Sequence, residues 1–345
     1  MLTIAIPTWN RAGFLRMALE SVISQCEGQG LEGFVEVVVA NNGSTDETEE
    51  VVREYAERRV LEVRHIRHDE NIGMVKNILF CFEAAKGRFV AFLGDDDVVV
   101  RGGIAAAVRR MREHPEAAGL IFQGEPLCDR LPSRGEEAVE VEVAAEKVFY
   151  DSGNFGRLAV NVDWATKVLA GCGEDHEWTV WPQTEIMFHA AAICGQARPF
   201  LLTSDLFGRS PNHEANTKWS AYRVWFVNIY GLLQPALNLR EVSVSLYQAA
   251  RGHLLRREYL EWNLKMCLRF RASTHTVEED REFRRITRRT LGFKDKSVFP
   301  LMLFGYLLAR IPRPVLRGAW LLKHGRERGG SDHEEGKRVY GAEDW

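Results

Sequence analysis

Along the first hundred residues, short apolar runs alternate with stretches where apolar side chains recur every three or four positions. Leu2 to Ile6 reads as a buried strand that Pro7 and Asn10 end, after which Leu15, Ala18, Leu19 and Val22 line one face of a helix. A second apolar run, Phe34 to Ala40, stops at Asn41-Asn42-Gly43-Ser44. Ser44 and Glu47 have the spacing of a capping box that would start the next helix, which carries Val51, Val52 and Tyr55. Leu61 to Ile66 reads as a third strand, Gly73 to Ala85 as a helix with Val75, Leu79 and Phe82 on one face, and Phe89 to Leu93 as a fourth strand. This alternation predicts an α/β fold with a mostly parallel sheet flanked by helices, and such sheets bind ligands at the carboxyl ends of their strands.

After residue 120 the pattern loosens. Arg130 to Ala145 alternates charged and small residues, as in a surface loop leading to an edge strand. Pro182 opens a helix that ends near Gly195, and Pro199 to Leu206 is strand-like. From Trp219 onward the reading is mainly helical, with Trp225, Ile229 and Leu232 at helical spacing. The expected organisation is a domain over 1–220, a helical C-terminal region over 221–325, and a loose, polar tail over 326–345.

Composition narrows the function classes. With 345 residues, 46% of them hydrophobic, the chain can bury a sizeable core, and its net charge of −3 provides no global basic field for nucleic acid. Any anion site must therefore be local. The six cysteines, Cys26, Cys81, Cys128, Cys172, Cys194 and Cys267, show no CxxC spacing, which argues against a zinc site or disulfide scaffold and for a reducing cytoplasm. No signal peptide is read at the N-terminus, and Val298 to Ala309 is too short to span a bilayer.

The strongest chemical signal is Asp95-Asp96-Asp97, placed after a wholly apolar strand and preceded by Gly94. Three adjacent carboxylates repel one another and gain nothing from core packing, so beside a buried strand they call for a compensating cation. Mn²⁺ or Mg²⁺, hard ions with oxygen ligands, supply that charge and can hold a diphosphate. A solvated turn is the bland alternative, and the position after the strand favours metal.

Three further clusters sit at strand ends. Pro7-Thr8-Trp9-Asn10-Arg11 can offer a hydroxyl, an amide and a guanidinium to a nucleotide at a helix start, or be an ordinary turn. In Asn41-Asn42-Gly43-Ser44-Thr45-Asp46, turn and cap geometry account for Gly43 and Ser44, leaving Asn41 and Asn42 to read the edge of a base. Asn71-Ile72-Gly73 with Lys76 and Asn77 is either a further nucleotide contact or a solvated helix face.

In this order and spacing the four pieces resemble the nucleotide-sugar domain of family 2 glycosyltransferases, closest to the abequosyltransferase-like branch. The resemblance covers residues 2–100 well and 160–220 loosely. It implies a GT-A type nucleotide-diphospho-sugar transferase fold, with a nucleotide-sugar half over 1–100 and an acceptor half over 101–220. Pro7, Thr8, Asn10, Arg11, Asn41, Asn42, Asn71, Lys76, Asp95 and Asp96 fall to the nucleotide, and Asp95 and Asp97 to the metal. Asn41 stands where the family usually has an aspartate, and Gly94 where many relatives carry another.

The implied activity is an inverting, metal-dependent transfer from a UDP- or dTDP-linked sugar to a saccharide, lipid-linked or small-molecule hydroxyl. Asp175, Glu185 and Glu177 are the candidates for the base that deprotonates this acceptor, with surface charge as the alternative for each. His176 and His189 read as histidines satisfied by neighbours. Arg209, His213 and Lys218 are candidates for a loop closing over the diphosphate. The basic run Arg281, Arg284, Arg285, Arg288 and Arg289, followed by apolar residues, suits peripheral contact with the inner face of a membrane or packing in a homodimer. The rival functions are a catalytically impaired nucleotide-sugar binder and a sugar nucleotidyltransferase, though Pro7 to Arg11 lacks the glycine-rich basic loop of the latter.

Overall fold

The structure is a computed structural model describing residues 1–123, 137–139, 158–173, 176, 178, 182–194, 200–204, 206–209, 248, 311 and 315. The chain divides into two compact units, Met1–His213 with Pro235–Ala250, and Glu214–Gln234 with Arg251–Trp345. The strands and helices named here lie in the first.

In chain order the strands are β1 (Leu2–Thr8), β2 (Val35–Asn41), β3 (Glu62–Arg67), β4 (Phe89–Phe92), β5 (Asp97–Val99), β6 (Gly119–Gln123), β7 (Glu137–Val139), β8 (Leu158–Asn161), β9 (Phe200–Ser204) and β10 (Phe207–Arg209). The helices are α1 (Ala12–Cys26), α2 (Thr48–Glu57), α3 (Met74–Ala84), α4 (Gly103–Glu113), α5 (Val162–Cys172) and α6 (Pro182–Cys194). Among the described residues, eight strands form one sheet in the order β3-β2-β1-β4-β8-β6-β9-β7, and β5 pairs with β10 in a second. β3, β2, β1 and β4 run parallel, while β8 runs antiparallel to both β4 and β6.

Every residue of β2 is buried, and β1 is buried throughout except at Pro7, as expected of central strands covered on both faces. The charged residue of β2 is Glu36, fully buried near its start. Glu36 Oε1 accepts hydrogen bonds from Thr3 Oγ1 at 2.5 Å and from the amides of Lys86 at 2.7 Å and Gly87 at 3.2 Å. Arg64 approaches Oε2 at 3.4 Å. Several donors thus replace the water that burial removed. The predicted α1 face of Leu15, Ala18, Leu19 and Val22 is buried, as are Val51, Val52 and Tyr55 of α2.

Three expectations need correction. Pro7 does not end β1, which pairs with β2 as far as Thr8. Pairing with β4 stops at Ala5, so a residue lacking an N–H is tolerated further along. Ser44 does not cap α2; that helix begins at Thr48, and Asp46 Oδ1 accepts from the Thr48 amide at 3.2 Å and hydroxyl at 2.6 Å. The buried face of α3 is Asn77, Ile78, Cys81 and Phe82, with Val75 and Leu79 only half-buried. The face turns because the Asn77 amide donates to the Ala40 carbonyl at 2.9 Å and contacts His68 Nε2 at 3.0 Å.

Candidate functional site

The parallel strands deliver their following loops to one edge of the sheet. β4 is extended one residue by the Leu93 amide bonding to the Ala5 carbonyl at 2.9 Å, and the chain then turns through Gly94 into the acidic triplet. Thr8, the last residue of β1, donates its hydroxyl to Asp95 Oδ2 at 2.8 Å. Arg11, just ahead of α1, spans two carboxylates, with Nη1 2.8 Å from Asp95 Oδ1 and Nη2 3.0 Å from Asp96 Oδ2. The Arg11 guanidinium also stacks over Phe14, 5.2 Å from the ring centre. The structure therefore brings the loop after β1 and the triplet after β4 into one hydrogen-bonded unit.

Asp95 is its buried centre. Burial pushes the Asp95 carboxyl up to about 6; Arg11 opposes that shift, the Asp96 charge adds to it, and the Thr8 hydrogen bond opposes it again. Its two oxygens already have protein partners, which suits a floor under the site more than the direct metal ligand expected of it. Asp96 and Asp97 differ in setting, both being half-buried. The Asp97 amide donates to the Gly94 carbonyl at 3.0 Å, closing a tight turn. A Cβ on Gly94 would stand 2.8 Å from Asp97 Oδ2 and 3.1 Å from Asp96 Oδ1. Both carboxylates thus lean over a bare glycine, which gives physical meaning to the missing aspartate at that position. Their oxygen-only donor set fits a hard divalent cation. Asp97 also opens β5, where it stands opposite Arg209 of β10. His213 and Lys218 lie outside the described residues.

The other strand-end loops are welded to this centre. Asn10 has a positive φ of 52°, and its Oδ1 accepts from the Thr45 amide at 2.8 Å while its own amide donates to Ser44 Oγ at 2.9 Å. Asp46 Oδ2 accepts from the first amide of α1, that of Ala12, at 2.9 Å, so one carboxylate holds the starts of α1 and α2. Asn41 Oδ1 accepts from the Ser44 amide at 2.9 Å, and its Nδ2 lies 3.2 Å from His65 Nε2. The Asn42 side chain donates to Asn71 Oδ1 at 2.8 Å and accepts from the Ile72 amide at 2.9 Å.

These bonds correct the reading of Asn41 and Asn42 as free base readers: the turn and β3 employ the Asn41 side chain, and the loop at Asn71 and Ile72 employs that of Asn42. Asn71 is exposed and its Oδ1 also accepts from the Gly73 amide at 2.9 Å, Lys76 is exposed, and Pro7 is half-buried. Sequence reasoning gave Asp46 no role beyond its place in the cluster and missed His65 and His68, whose contacts depend on partners distant in the chain.

A second polar cluster lies between α5 and α6. Glu185 is fully buried, and His176 Nε2 lies 2.8 Å from its Oε1. That burial corrects the expectation that Glu185 deprotonates an acceptor directly, because a carboxylate without exposed surface cannot meet a hydroxyl from solvent. Asp175 and Glu177 lie outside the described residues. His189 is not satisfied as expected: its Nε2 is buried without a hydrogen-bond partner among the described residues, 3.8 Å from Glu185 Oε1. A cavity of about 230 Å³ lined by apolar groups including Met1, Phe34 and Phe89 sits at the opposite end of the strands and plays no part here.

Comparison with known proteins agrees with the geometry. Residues 3–151 match the family model described as glycosyl transferase family 2. Abequosyltransferase RfbV of Salmonella typhimurium is 29% identical over 141 residues, 41% of this chain and 39% of that protein. An uncharacterized glycosyltransferase of Rickettsia felis is 28% identical over 39% of this chain and 21% of its own length. The chain thus spans well under half of the curated relatives it matches.

Two solved structures share the fold. TarS of S. aureus in complex with UDP-GlcNAc aligns over 93% of this chain and 92% of that one, with a TM-score of 0.52 and 15% identity. Mannosyltransferase PcManGT of Pyrobaculum calidifontis in complex with GDP-Man and Mn²⁺ aligns over 91% and 86%, with a TM-score of 0.53 and 16% identity. Fold and strand-end site together define a GT-A type nucleotide-diphospho-sugar transferase fold. Over residues 3–151 the chain is thus similar to glycosyl transferase family 2, and over much of that stretch to an abequosyltransferase.

Proposed function

We propose that the protein is an inverting glycosyltransferase that moves a sugar from a nucleoside-diphosphate sugar, UDP- or dTDP-linked, to an acceptor hydroxyl. The observation carrying this reading is the unit formed by Thr8, Arg11, Asp95 and Asp96, which joins the ends of β1 and β4 where an α/β sheet binds its ligand. Solved proteins of this fold bind UDP-GlcNAc, or GDP-Man with Mn²⁺, in keeping with a nucleotide-sugar donor.

Asp96 and Asp97 would hold Mn²⁺ or Mg²⁺, which when bound supplies positive charge to the departing diphosphate. Asp95 fixes the height of the triplet through Thr8 and Arg11, and the strand register of Arg209 opposite Asp97 supports a part for Arg209 in this reading. With Glu185 buried, the base falls to Asp175 or Glu177, on the connection between α5 and α6. That base takes the acceptor proton as the oxygen attacks the anomeric carbon from the face opposite the diphosphate. In this reading the transfer domain comprises residues 1–220, and region 221–325 follows it in sequence. Acceptors of the saccharide, lipid-linked or small-molecule kind are all compatible, in a cytoplasmic setting or at the inner face of a membrane. No helix among the described residues is long and apolar enough to cross one.

The test is a panel of UDP- and dTDP-sugars with Mn²⁺ and a cell extract as the acceptor source, following release of free nucleoside diphosphate. Steady turnover, lost in Asp97→Asn and in one of Asp175→Asn or Glu177→Gln, supports the proposal. Stoichiometric retention of donor without turnover contradicts it and favours a binding protein.

A further inference from the structure

The cluster between α5 and α6 is chemically unlike the acidic triplet. α5 follows β8 directly and ends at Cys172. His176 follows on the connection, and α6 then carries Glu185 and His189 four positions apart on one face. Three elements thereby bring four donor side chains together. The ligand atoms of Cys172, His176 and His189 all lie within 4.8 Å of one another. Glu185 Oε1 reaches in at 2.8 Å from His176 Nε2 and 3.8 Å from His189 Nε2.

We propose that Cys172, His176 and His189, closed by Glu185, form a second metal site that takes a borderline-soft divalent cation of the Zn²⁺ type. A thiolate with two imidazoles is a donor set that zinc prefers and that Mg²⁺ and Mn²⁺ do not. Tetrahedral zinc with bonds of about 2.0–2.3 Å sets its ligand atoms roughly 3.3–3.8 Å apart. The present spacing, within 4.8 Å, would contract by about 1 Å on binding.

The independent observation pointing to a ligand is His189 Nε2, buried among these donors with no hydrogen-bond partner among the described residues. A buried imidazole nitrogen is normally paired, and a cation would use its lone pair. Trp178 packs edge-on against His176 with ring centres 4.5 Å apart, a wall that limits the imidazole's rotation. The cation would tie the end of α5 to the first turns of α6 and so fix the connection carrying Asp175 and Glu177. The ligands come from a helix end, a loop and one helix face, which is why a search for CxxC spacing passes over them.

Cobalt tests the assignment directly. The full chain is stripped with chelator, dialysed and titrated with Co²⁺ alone. The expected result is about one equivalent bound with a thiolate-to-cobalt charge-transfer band and the intense visible bands of a tetrahedral site. The charge-transfer band should vanish in Cys172→Ser and in Cys172→Ala, with circular dichroism unchanged. Affinity should fall at least 100-fold in His189→Gln, while Asp97→Asn keeps the band. A wild-type protein without the band, or a band that survives both Cys172 substitutions, overturns the proposal. Cobalt binding without the charge-transfer band, lost only in Asp97→Asn, overturns it too and would assign the bound ion to the triplet.

Discussion

Thr8 and Asp95 stand 87 positions apart in the chain and share a hydrogen bond of 2.8 Å between hydroxyl and carboxylate. The bond matters because Asp95 is buried, and burial dominates its acidity, pushing the carboxyl up from 3.8 to about 6. The folded protein therefore holds this proton more tightly than the unfolded chain does. The associated stability is fully present below about pH 3.8 and is lost as pH rises through about 6. Two units correspond to about 3 kcal/mol as an upper figure. Asp95→Asn removes the titration. With metal chelated, the stability of the variant relative to wild type should rise between pH 4 and 6 and level off above. Urea unfolding across that range checks this, and parallel pH profiles for the two proteins would contradict it.

Gly94 separates folding from ligand binding. The atoms a methyl group there meets first are the far ends of two side chains, Asp97 Oδ2 at 2.8 Å and Asp96 Oδ1 at 3.1 Å. Gly94→Ala should leave the unfolding midpoint almost unchanged while displacing both carboxylates, with metal affinity falling about tenfold, or roughly 1.4 kcal/mol. Calorimetric titration with Mn²⁺ measures it; unaltered affinity would show that these oxygens do not hold the ion.

Asp46 carries the opposite signature. It accepts from the Ala12 amide at 2.9 Å and the Thr48 amide at 3.2 Å, serving the starts of two helices. Removing a capping carboxylate costs roughly 0.5–2 kcal/mol, and here two helix starts lose their acceptor together. Asp46→Ala should lose about 2–3 kcal/mol in denaturant unfolding, a sum of two such caps. A loss below about 0.5 kcal/mol would mean that neither bond persists in solution.

The sheet was legible because its signal is local: apolar runs at β1, β2 and β4 and the three-and-four spacing of α1 announce themselves within a dozen residues. The triplet was legible too, since three carboxylates after a buried strand have no packing rationale. Roles set by distant partners were not. Ser44 and Glu47 fit a capping box, yet Asn10 claims the Ser44 hydroxyl and Asp46 takes the cap, a competition that no local spacing discloses. Asn41, Asn42 and Asn77 look alike in sequence, as amides suited to a ligand or to solvent. Their contacts with His65, Asn71 and Ala40 exist only once distant segments are brought together. Glu185 offered a carboxylate at a helix start, and its burial against His176 depends on how α5 and α6 pack.

The central claim is that Asp96 and Asp97 grip a cation that in turn grips a phosphorylated donor above Thr8 and Arg11. Calorimetric titration of UDP and dTDP into the protein, with and without Mn²⁺, tests it most directly when run beside Asp97→Asn. The account expects binding at least tenfold tighter with Mn²⁺ in wild type, and no Mn²⁺ effect in a folded Asp97→Asn protein. Equal affinity with and without Mn²⁺, or an undiminished Mn²⁺ effect in the variant, would contradict it.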